Sequence, residues 1–160
     1  MAPDPRRLAI SLLALAIACG VPDPDNVEVA VQLDDVQISL SPTTFGRQIQ
    51  GTLTLTAVLG ELAQQDTTVR WEKLALVRPE TNEELLVLPI ASRVPSSVAV
   101  PKGTTQTLGF EIETSVVKAE ALPALCSGQV RVIASVFDQA KARPKSAYSA
   151  AFSLPGCPGG

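Results

Sequence analysis

Hydrophobic side chains alternate with polar ones over many short stretches of this sequence, and a repeat of two residues is typical of β-strands rather than helices. The clearest case is residues 49–59, where Leu53, Leu55 and Ala57 alternate with threonines. Such alternation, rich in β-branched residues, is characteristic of half-buried antiparallel strands. Further runs lie at residues 27–33, 36–40, 68–77, 84–90, 105–114, 129–138 and 147–154.

These runs predict an all-β chain. Seven or eight short antiparallel strands separated by turns, without repeated helical segments, favour a two-layer β-sandwich. Asp34 and Asp35 predict a turn between the first two runs, and only residues 116–125 favour a helical turn. Between Trp71 and Leu74 the alternating hydrophobic residues switch from odd-numbered to even-numbered positions, which predicts a β-bulge near Glu72.

Short strand and turn motifs recur at residues 38–42 (ISLSP), 98–103 (VAVPKG), 108–110 (LGF) and 128–132 (GQVRV). Together they resemble bacterial immunoglobulin-like modules, particularly the cell-adhesion-related and fibronectin-like kind. The resemblance implies an immunoglobulin-like antiparallel β-sandwich over residues 27–160. It also implies a core tryptophan on the third strand, which Trp71 matches, whereas the inter-sheet cysteine pair of antibody-type domains is not matched.

The beginning of the chain predicts export. Arg6 and Arg7 form a positive region, and residues 8–18 are an uninterrupted apolar run. A membrane-spanning helix needs about 20 apolar residues, so this shorter run suits the hydrophobic part of a signal peptide. We therefore expect residues 1–18 to be a signal peptide helix that is removed from the mature protein.

Residues 15–19 (LAIAC) resemble the lipobox of bacterial lipoproteins. The resemblance implies that Cys19 receives diacylglycerol and becomes the mature N-terminus, followed by an extended tether up to residue 26. Gly20 after the cysteine implies sorting to the outer membrane and a lipid-anchored place in the bacterial cell envelope. Ala16 and Ala18 also fit an ordinary cleavage site at the same bond, and this alternative stays open.

The chain has three cysteines, and an odd number in an exported protein leaves one without a partner. If residues 139–145 form a hairpin loop, inward residues of the last two strands face one another, with Val132 opposite Phe152. Cys126 and Cys157 then meet, one residue out of register, at the open end of this hairpin. We therefore predict a Cys126–Cys157 disulfide, which leaves the lipobox cysteine for lipidation.

Composition and charge exclude several classes of function. The chain has no histidine, which removes histidine-based triads and the usual zinc and iron ligands. A net charge of −3 argues against a nucleic-acid partner. Glu111 and Glu113 are spaced like the carboxylates of glycoside hydrolysis, but their apolar neighbours indicate that they face solvent. We expect no enzyme activity, no cofactor and no nucleic-acid partner.

Two charged clusters are candidate binding sites. The first is a basic, partner-contacting patch in and beside the predicted hairpin loop, made of Arg131, Lys141, Arg143 and Lys145. Such cations also keep loops soluble and protect strand edges, so a structural role stays open. The second is an acidic N-terminal cluster that offers oxygen ligands for calcium without matching an EF-hand, made of Asp23, Asp25, Glu28, Asp34 and Asp35.

Together these features favour a lipid-anchored, non-enzymatic binding or structural module of the bacterial cell envelope. We expect it to engage a protein partner of the envelope through its loops or an open sheet edge, and to contact the membrane through its N-terminal lipid. The alternative is a carbohydrate- or calcium-dependent binding domain at the cell surface.

Overall fold

The computed structural model describes residues 27–158, which are mostly antiparallel strands. A 3₁₀ turn at Ala119–Ala121 leads into one short helix, α1 (Leu122–Cys126). The predicted signal peptide and tether, with Cys19, lie outside the described residues. The nine strands of the described range are β1 (Ala30–Thr43), β2 (Gly46–Leu59), β3 (Thr67–Val77), β4 (Glu84–Val87), β5 (Ser97–Val100), β6 (Thr104–Val117), β7 (Gln129–Asp138), β8 (Arg143–Tyr148) and β9 (Phe152–Ser153).

The strands form two sheets. The first sheet has the order β1-β2-β6, and the second has β4-β3-β7-β8, with β5 also paired to β3 and β9 to β7. This is the A-B-E and C-F-G order of immunoglobulin-like sandwiches, except that β5, in the place of strand D, pairs with the second sheet. The prediction of an all-β sandwich is confirmed, with nine strands in the described range instead of seven or eight.

The core lies between the two sheets and is built from the inward residues of the alternating pattern. Phe110 is its largest fully buried side chain, and Leu53 and Leu55 of the central strand β2 are almost completely enclosed. The second sheet contributes a facing layer of small and medium aliphatic side chains, Leu74, Leu76, Val130, Val132, Ala134 and Val136. The alternation in the sequence therefore identifies which face of each long strand is buried.

Trp71 packs at the margin of this core. Its ring meets Phe110 edge to face, with ring centroids 5.5 Å apart and an interplanar angle of 86°. The indole N–H donates a 2.7 Å hydrogen bond to the carbonyl oxygen of Pro95. Trp71 is partly rather than fully buried, so it has the predicted packing role with its polar end reaching the surface.

The structure has one β-bulge where the sequence predicts a turn and another where the sequence predicts a bulge. The predicted turn at Asp34 and Asp35 is wrong, because β1 continues through it with a register shift between Asp34 and Gln37. Asp35 adopts a positive φ of 49° there, so the one extra residue is absorbed inside one long strand. The predicted bulge near Glu72 is confirmed by a register shift between Trp71 and Lys73.

Strand limits also differ from the sequence prediction at several places. The strand predicted over residues 84–90 ends at Val87, and β5 (Ser97–Val100) is not among the predicted strands. Val116 and Val117 end β6 instead of beginning a helical turn. Between residues 27 and 158, none of the helices has the length and apolar character needed to span a bilayer.

The hairpin of β7 and β8 turns earlier than predicted. Asp138 pairs with Arg143, so the loop is residues 139–142 rather than 139–145. The buried Asp138 carboxylate accepts hydrogen bonds from the Thr67 hydroxyl and, at 3.1 Å, from the backbone N–H of Ala140. These bonds stabilise the first part of the turn. Because the loop ends at residue 142, Arg143 and Lys145 belong to strand β8.

The early turn changes the register of the final strands. Phe152 pairs with Val130, so the predicted pairing of Phe152 with Val132 is wrong. A one-residue slip lies between β8 and β9, where Ser149 interrupts the ladder. The Ser149 hydroxyl accepts a 2.9 Å hydrogen bond from the N–H of Val132, and its own N–H donates to the Val132 carbonyl at 3.0 Å. The side chain thus replaces a missing backbone acceptor.

The predicted disulfide is present. Cys126 and Cys157 are bonded with a Cα–Cα distance of 5.6 Å, which joins the end of α1 to the segment after β9. Next to this link, the N–H of Leu40 donates a 2.8 Å hydrogen bond to the Pro155 carbonyl. The disulfide therefore holds the C-terminal segment against the exposed edge of β1.

The antiparallel strands place the loops at two opposite ends of the sandwich. The N-terminal end contains Val27 and the loops of residues 60–66, 101–103 and 139–142. The far end contains the β1–β2 turn at residues 44–45, the loop of residues 78–83, α1 and the disulfide. β1 has 14 residues and connects the two ends, a distance of about 45 Å.

Candidate functional site

Three members of the predicted basic patch lie at the N-terminal end, but two of them belong to a strand. Lys145 of β8 donates hydrogen bonds to the Glu28 carboxylate at 3.1 Å and to the Val29 carbonyl at 2.8 Å. Arg143 approaches the same carboxylate at 3.3 Å. Lys141 is exposed in the loop. These cations tie the N-terminal segment to β8.

Arg131 does not join this group, so the prediction of a single four-residue patch is wrong. It lies near the opposite end of β7, where it donates a 2.5 Å hydrogen bond to the side-chain oxygen of Asn82. Its guanidinium carbon lies 4.5 Å from the centre of the Tyr148 ring. The alternation of β7 places Arg131 on the outer face of the second sheet, whereas Lys145 is directed toward the first sheet.

β8 is an edge strand, and its charged residues have a structural explanation. It pairs with β7 on one side only. Pro144 lacks an N–H, and Lys145 points inward to its ion pair with Glu28. A proline and an inward-pointing charge are two common means of preventing an edge strand from pairing with another chain. This arrangement supports the edge-protecting interpretation of Arg143 and Lys145.

The carboxylate of Glu28 has a lowered pKa. The hydrogen bond from Lys145 is the largest cause, followed by the charge of the same ammonium group. Desolvation opposes the shift, and the charges of Arg143 and Lys141 add to it. A group whose pKa is lower in the folded state stabilises the protein above its unfolded-state pKa, and this stabilisation is lost as the pH falls through the folded-state pKa.

Glu28→Gln is therefore expected to lower the stability of the protein at pH 7 and to have no effect at a pH well below the lowered pKa of Glu28. The physical reason is that the wild-type carboxylate is then protonated and no longer attracts Lys145. Denaturant unfolding of both proteins at pH 7 and at low pH measures the difference. An equal difference at both pH values would show that the ion pair is not its source.

Two described members of the acidic cluster, Glu28 and Asp34, have partners within the protein. Asp34 accepts hydrogen bonds from the Thr56 hydroxyl at 2.8 Å and from the Gln32 amide at 3.0 Å. Glu28 is engaged by cations, and Asp35 lies in the β1 bulge. Within residues 27–158 no three acidic, cysteine or histidine side chains are grouped to hold a metal ion. The other two candidates, Asp23 and Asp25, lie outside the described residues.

The two glutamates of β6 have different surroundings. Glu111 forms an ion pair with Arg93 and lies opposite Thr52 of β2. Glu113 lies in a bulge of β6, where its backbone N–H donates a 2.7 Å hydrogen bond to the Pro89 carbonyl. This bulge interrupts the regular alternation on which the predicted carboxylate pair depends.

The tip of the β1–β2 hairpin carries an exposed aromatic residue that the sequence analysis did not identify. Phe45 is 88% exposed at the far end. The turn around it is ordered by Thr43, whose hydroxyl donates to the Gly46 carbonyl at 3.2 Å and accepts from the Phe45 N–H at 3.3 Å. The available signal was a phenylalanine at a position where two alternating runs meet in a turn, since turns normally carry polar residues.

A second feature missed by the sequence analysis is an open cleft of about 710 Å³ on the first sheet. Its centre is Gly51 of β2, which lies between Ile38 of β1 and Ile112 of β6. Both neighbouring strand pairs shift register close to Gly51. Bulges bend and twist the strands that contain them, and the open cleft lies where these two irregularities come close together. We refer to it as the Gly51 cleft.

The Gly51 cleft is lined by two rows of polar side chains. Gln37, Thr52 and Glu111 are register partners across the three strands and form the first row. Ser39 and Gln50 are partners in the second row, which continues to Thr114 in the β6 bulge. Hydrophobic residues, Val36, Phe152 and Pro155, line the side of the cleft next to β1.

Comparisons with known proteins give no family for this chain. No family model and no curated protein matches it. Among solved structures, it is similar to the X-ray structure of Northeast Structural Genomics Consortium target SoR45. The two chains are 13% identical, the match covers 82% of this chain and 88% of that chain, and the TM-score is 0.46.

Proposed function

We propose that this protein is a lipid-anchored, non-enzymatic module of the bacterial cell envelope that binds a protein partner through its far end. The resemblance of residues 15–19 to a lipobox supports the anchor, with Cys19 as the lipidated residue. Gly20 supports sorting to the outer membrane. The absence of histidine from the sequence supports a binding role over acid–base catalysis.

The observation that carries the proposal is the position of Phe45 relative to the N-terminal segment. Val27 lies at one end of the sandwich and Phe45 at the other, and β1 connects them over about 45 Å. The tether before residue 27 is seven residues, with a reach of about 23 Å at most. A chain anchored at Cys19 would therefore present the Phe45 turn away from the membrane.

Phe45 has the properties of a residue that anchors a protein interface. Large aromatic side chains contribute strongly to binding when a partner encloses them. The two hydrogen bonds of Thr43 restrict the backbone of the turn, which lowers the entropy that binding would cost. By contrast, the basic residues of the N-terminal end would lie near the membrane and are partly used within the fold.

Photo-crosslinking from the tip tests this proposal. With benzoylphenylalanine in place of Phe45, we expect cells to yield a discrete crosslinked protein of the envelope. Leu62 provides a matched control, because it is a 62% exposed hydrophobic residue on a loop of the N-terminal end. Crosslinks of the same kind from both positions, or none from position 45, would contradict binding through the far end.

The anchor is tested separately with Cys19→Ser. We expect the wild-type protein to incorporate labelled palmitate and to fractionate with membranes, and the variant to do neither. The disulfide cysteines serve as the control, because Cys126→Ala should leave the label in place. A Cys19→Ser protein that still takes up the label would refute the lipid anchor.

A further inference from the structure

We infer that the Gly51 cleft binds a short, neutral oligosaccharide. This inference goes beyond the proposed protein partner and does not rest on the lipid anchor. It depends on three properties of the cleft, which are the type of its polar groups, its hydrophobic side and its lack of free charge.

The polar groups of the cleft suit a ligand with many hydroxyls. Gln37 and Gln50 are exposed amides that each offer donors and an acceptor, and the hydroxyls of Thr52, Ser39 and Thr114 do both. Residues directly opposite on neighbouring strands have side chains about 5 Å apart, and successive rows on one face are about 7 Å apart. The pairs Gln37–Thr52 and Ser39–Gln50 therefore form a regular grid of groups that can hydrogen-bond to ring hydroxyls, and Thr114 adds a hydroxyl beside it in the β6 bulge.

The hydrophobic side of the cleft suits the other part of a sugar ring. Val36, Phe152 and Pro155 line one wall, and both Val36 and Phe152 also pack against the core, which fixes their positions. A pyranose ring has apolar C–H faces and a polar rim. A site with one hydrophobic wall and a grid of amides and hydroxyls matches both surfaces.

The charges at the cleft favour a neutral ligand. Among its lining residues, Glu111 is the only ionisable side chain, and its carboxylate is paired with the Arg93 guanidinium. No lysine or arginine lines the cleft to attract a phosphate or carboxylate. A uronic acid or a nucleic acid would be repelled by the Glu111 carboxylate. The nearby cation, Arg93, is already paired with Glu111.

An extended peptide fits the cleft less well. β2 is the central strand, and its backbone is paired with β1 on one side and β6 on the other. A peptide that adds as a strand needs a free row of backbone N–H and C=O groups, which β2 lacks. The nearest free row is the outer edge of β1, where the Leu40 N–H is already bonded to the Pro155 carbonyl. Recognition over β2 therefore comes from side chains, as in the binding of sugars.

The test is a titration of the purified full chain with cellohexaose, maltohexaose and N-acetylated chitotetraose, and with trigalacturonic acid as a charged probe. We expect saturable NMR shifts of the Gln37, Gln50 and Thr52 amides with at least one neutral probe and none with the charged probe. The double variant Gln37→Ala, Gln50→Ala should bind the neutral oligosaccharide about tenfold more weakly than the wild type, since it loses two side-chain hydrogen-bonding groups.

Gln32→Ala is the matched control. Gln32 is also an exposed glutamine of β1 opposite a threonine of β2, but it does not line the cleft. Its replacement should leave the affinity unchanged. The inference is overturned if no neutral probe shifts these amides, if only trigalacturonic acid binds, or if the double variant binds as tightly as the wild type. None of these results bears on crosslinking from Phe45.

Discussion

Replacing both Cys126 and Cys157 with alanine is expected to lower the free energy of unfolding by about 3.5–4 kcal/mol. The two cysteines are 31 residues apart in the sequence. On the chain-entropy model, opening a loop of this length restores that amount of conformational freedom to the unfolded chain. Denaturant unfolding of the oxidised wild type and the double variant measures the difference, which is a large part of the stability of a domain of this size.

The disulfide also has a local effect that separates it from a general loss of stability. The Leu40 N–H donates to the Pro155 carbonyl beside the linkage, so its hydrogen exchange should accelerate more than that of Leu55 in the central strand. Cys19→Ser provides a control that removes a cysteine without changing either measurement. An unchanged unfolding midpoint in the double variant, or two free thiols at positions 126 and 157 in the folded exported protein, would contradict the prediction.

The disulfide was predictable from the sequence even though the register used to find it was wrong. The parity of three cysteines and the hairpin between β7 and the last strands bring Cys126 and Cys157 to the same end in either register. The sequence places a one-residue slip at the cysteines, whereas the structure has it at Ser149, between β8 and β9. The disulfide could be predicted in spite of the wrong register because its formation depends on which strands are neighbours more than on which residues lie opposite one another.

The strands and their buried faces were also predictable, because alternation records burial directly. The 49–59 run predicts the inward positions of β2, and the parity change beside Trp71 predicts the bulge of β3. The errors concern places where local chemistry favours a turn but tertiary pairing wins. Asp34 and Asp35 resemble a turn, yet β1 pairs with β2 both before and after these two residues, and this pairing keeps β1 continuous.

The position of the basic residues was predicted wrongly because they lie on an edge strand. The hairpin register predicted from the sequence places Arg143 and Lys145 in the loop of residues 139–145, whereas both belong to β8. β8 is an edge strand, and Lys145 reaches past the core to Glu28 at the margin. The sequence does not reveal which strand lies at an edge, since this depends on sheet order.

The Gly51 cleft was not predictable, because it is made of residues from separate strands whose bulges coincide. Gln37, Thr52 and Glu111 look like ordinary solvent-facing residues of three alternating runs. Only the register aligns them, and the two bulges beside them appear only once the strands are paired. A glycine inside the strongest alternating run was the one available signal.

Gly51→Ala is expected to destabilise the protein by about 3 kcal/mol. A Cβ atom at this position would lie 2.1 Å from the Gln37 carbonyl oxygen and 2.8 Å from the Cα of Ile38. Both are backbone atoms of β1, so the strand itself must move away. Forcing atoms into a packed region typically costs about 1–3 kcal/mol, and a backbone obstacle places this substitution at the upper part of that range.

Gly109→Ala is the matched control for this substitution. Gly109 lies on the adjacent strand β6 of the same sheet, and a Cβ atom there meets nothing within 4 Å. Because alanine also restricts the unfolded chain, Gly109→Ala should leave stability unchanged or raise it by less than about 1 kcal/mol. Equal effects of the two substitutions would show that loss of glycine, and not the close approach of β1 to β2, determines the result. If Gly51→Ala alone is destabilising, the close approach of the β1 backbone at Gln37 and Ile38 is what requires glycine at this position.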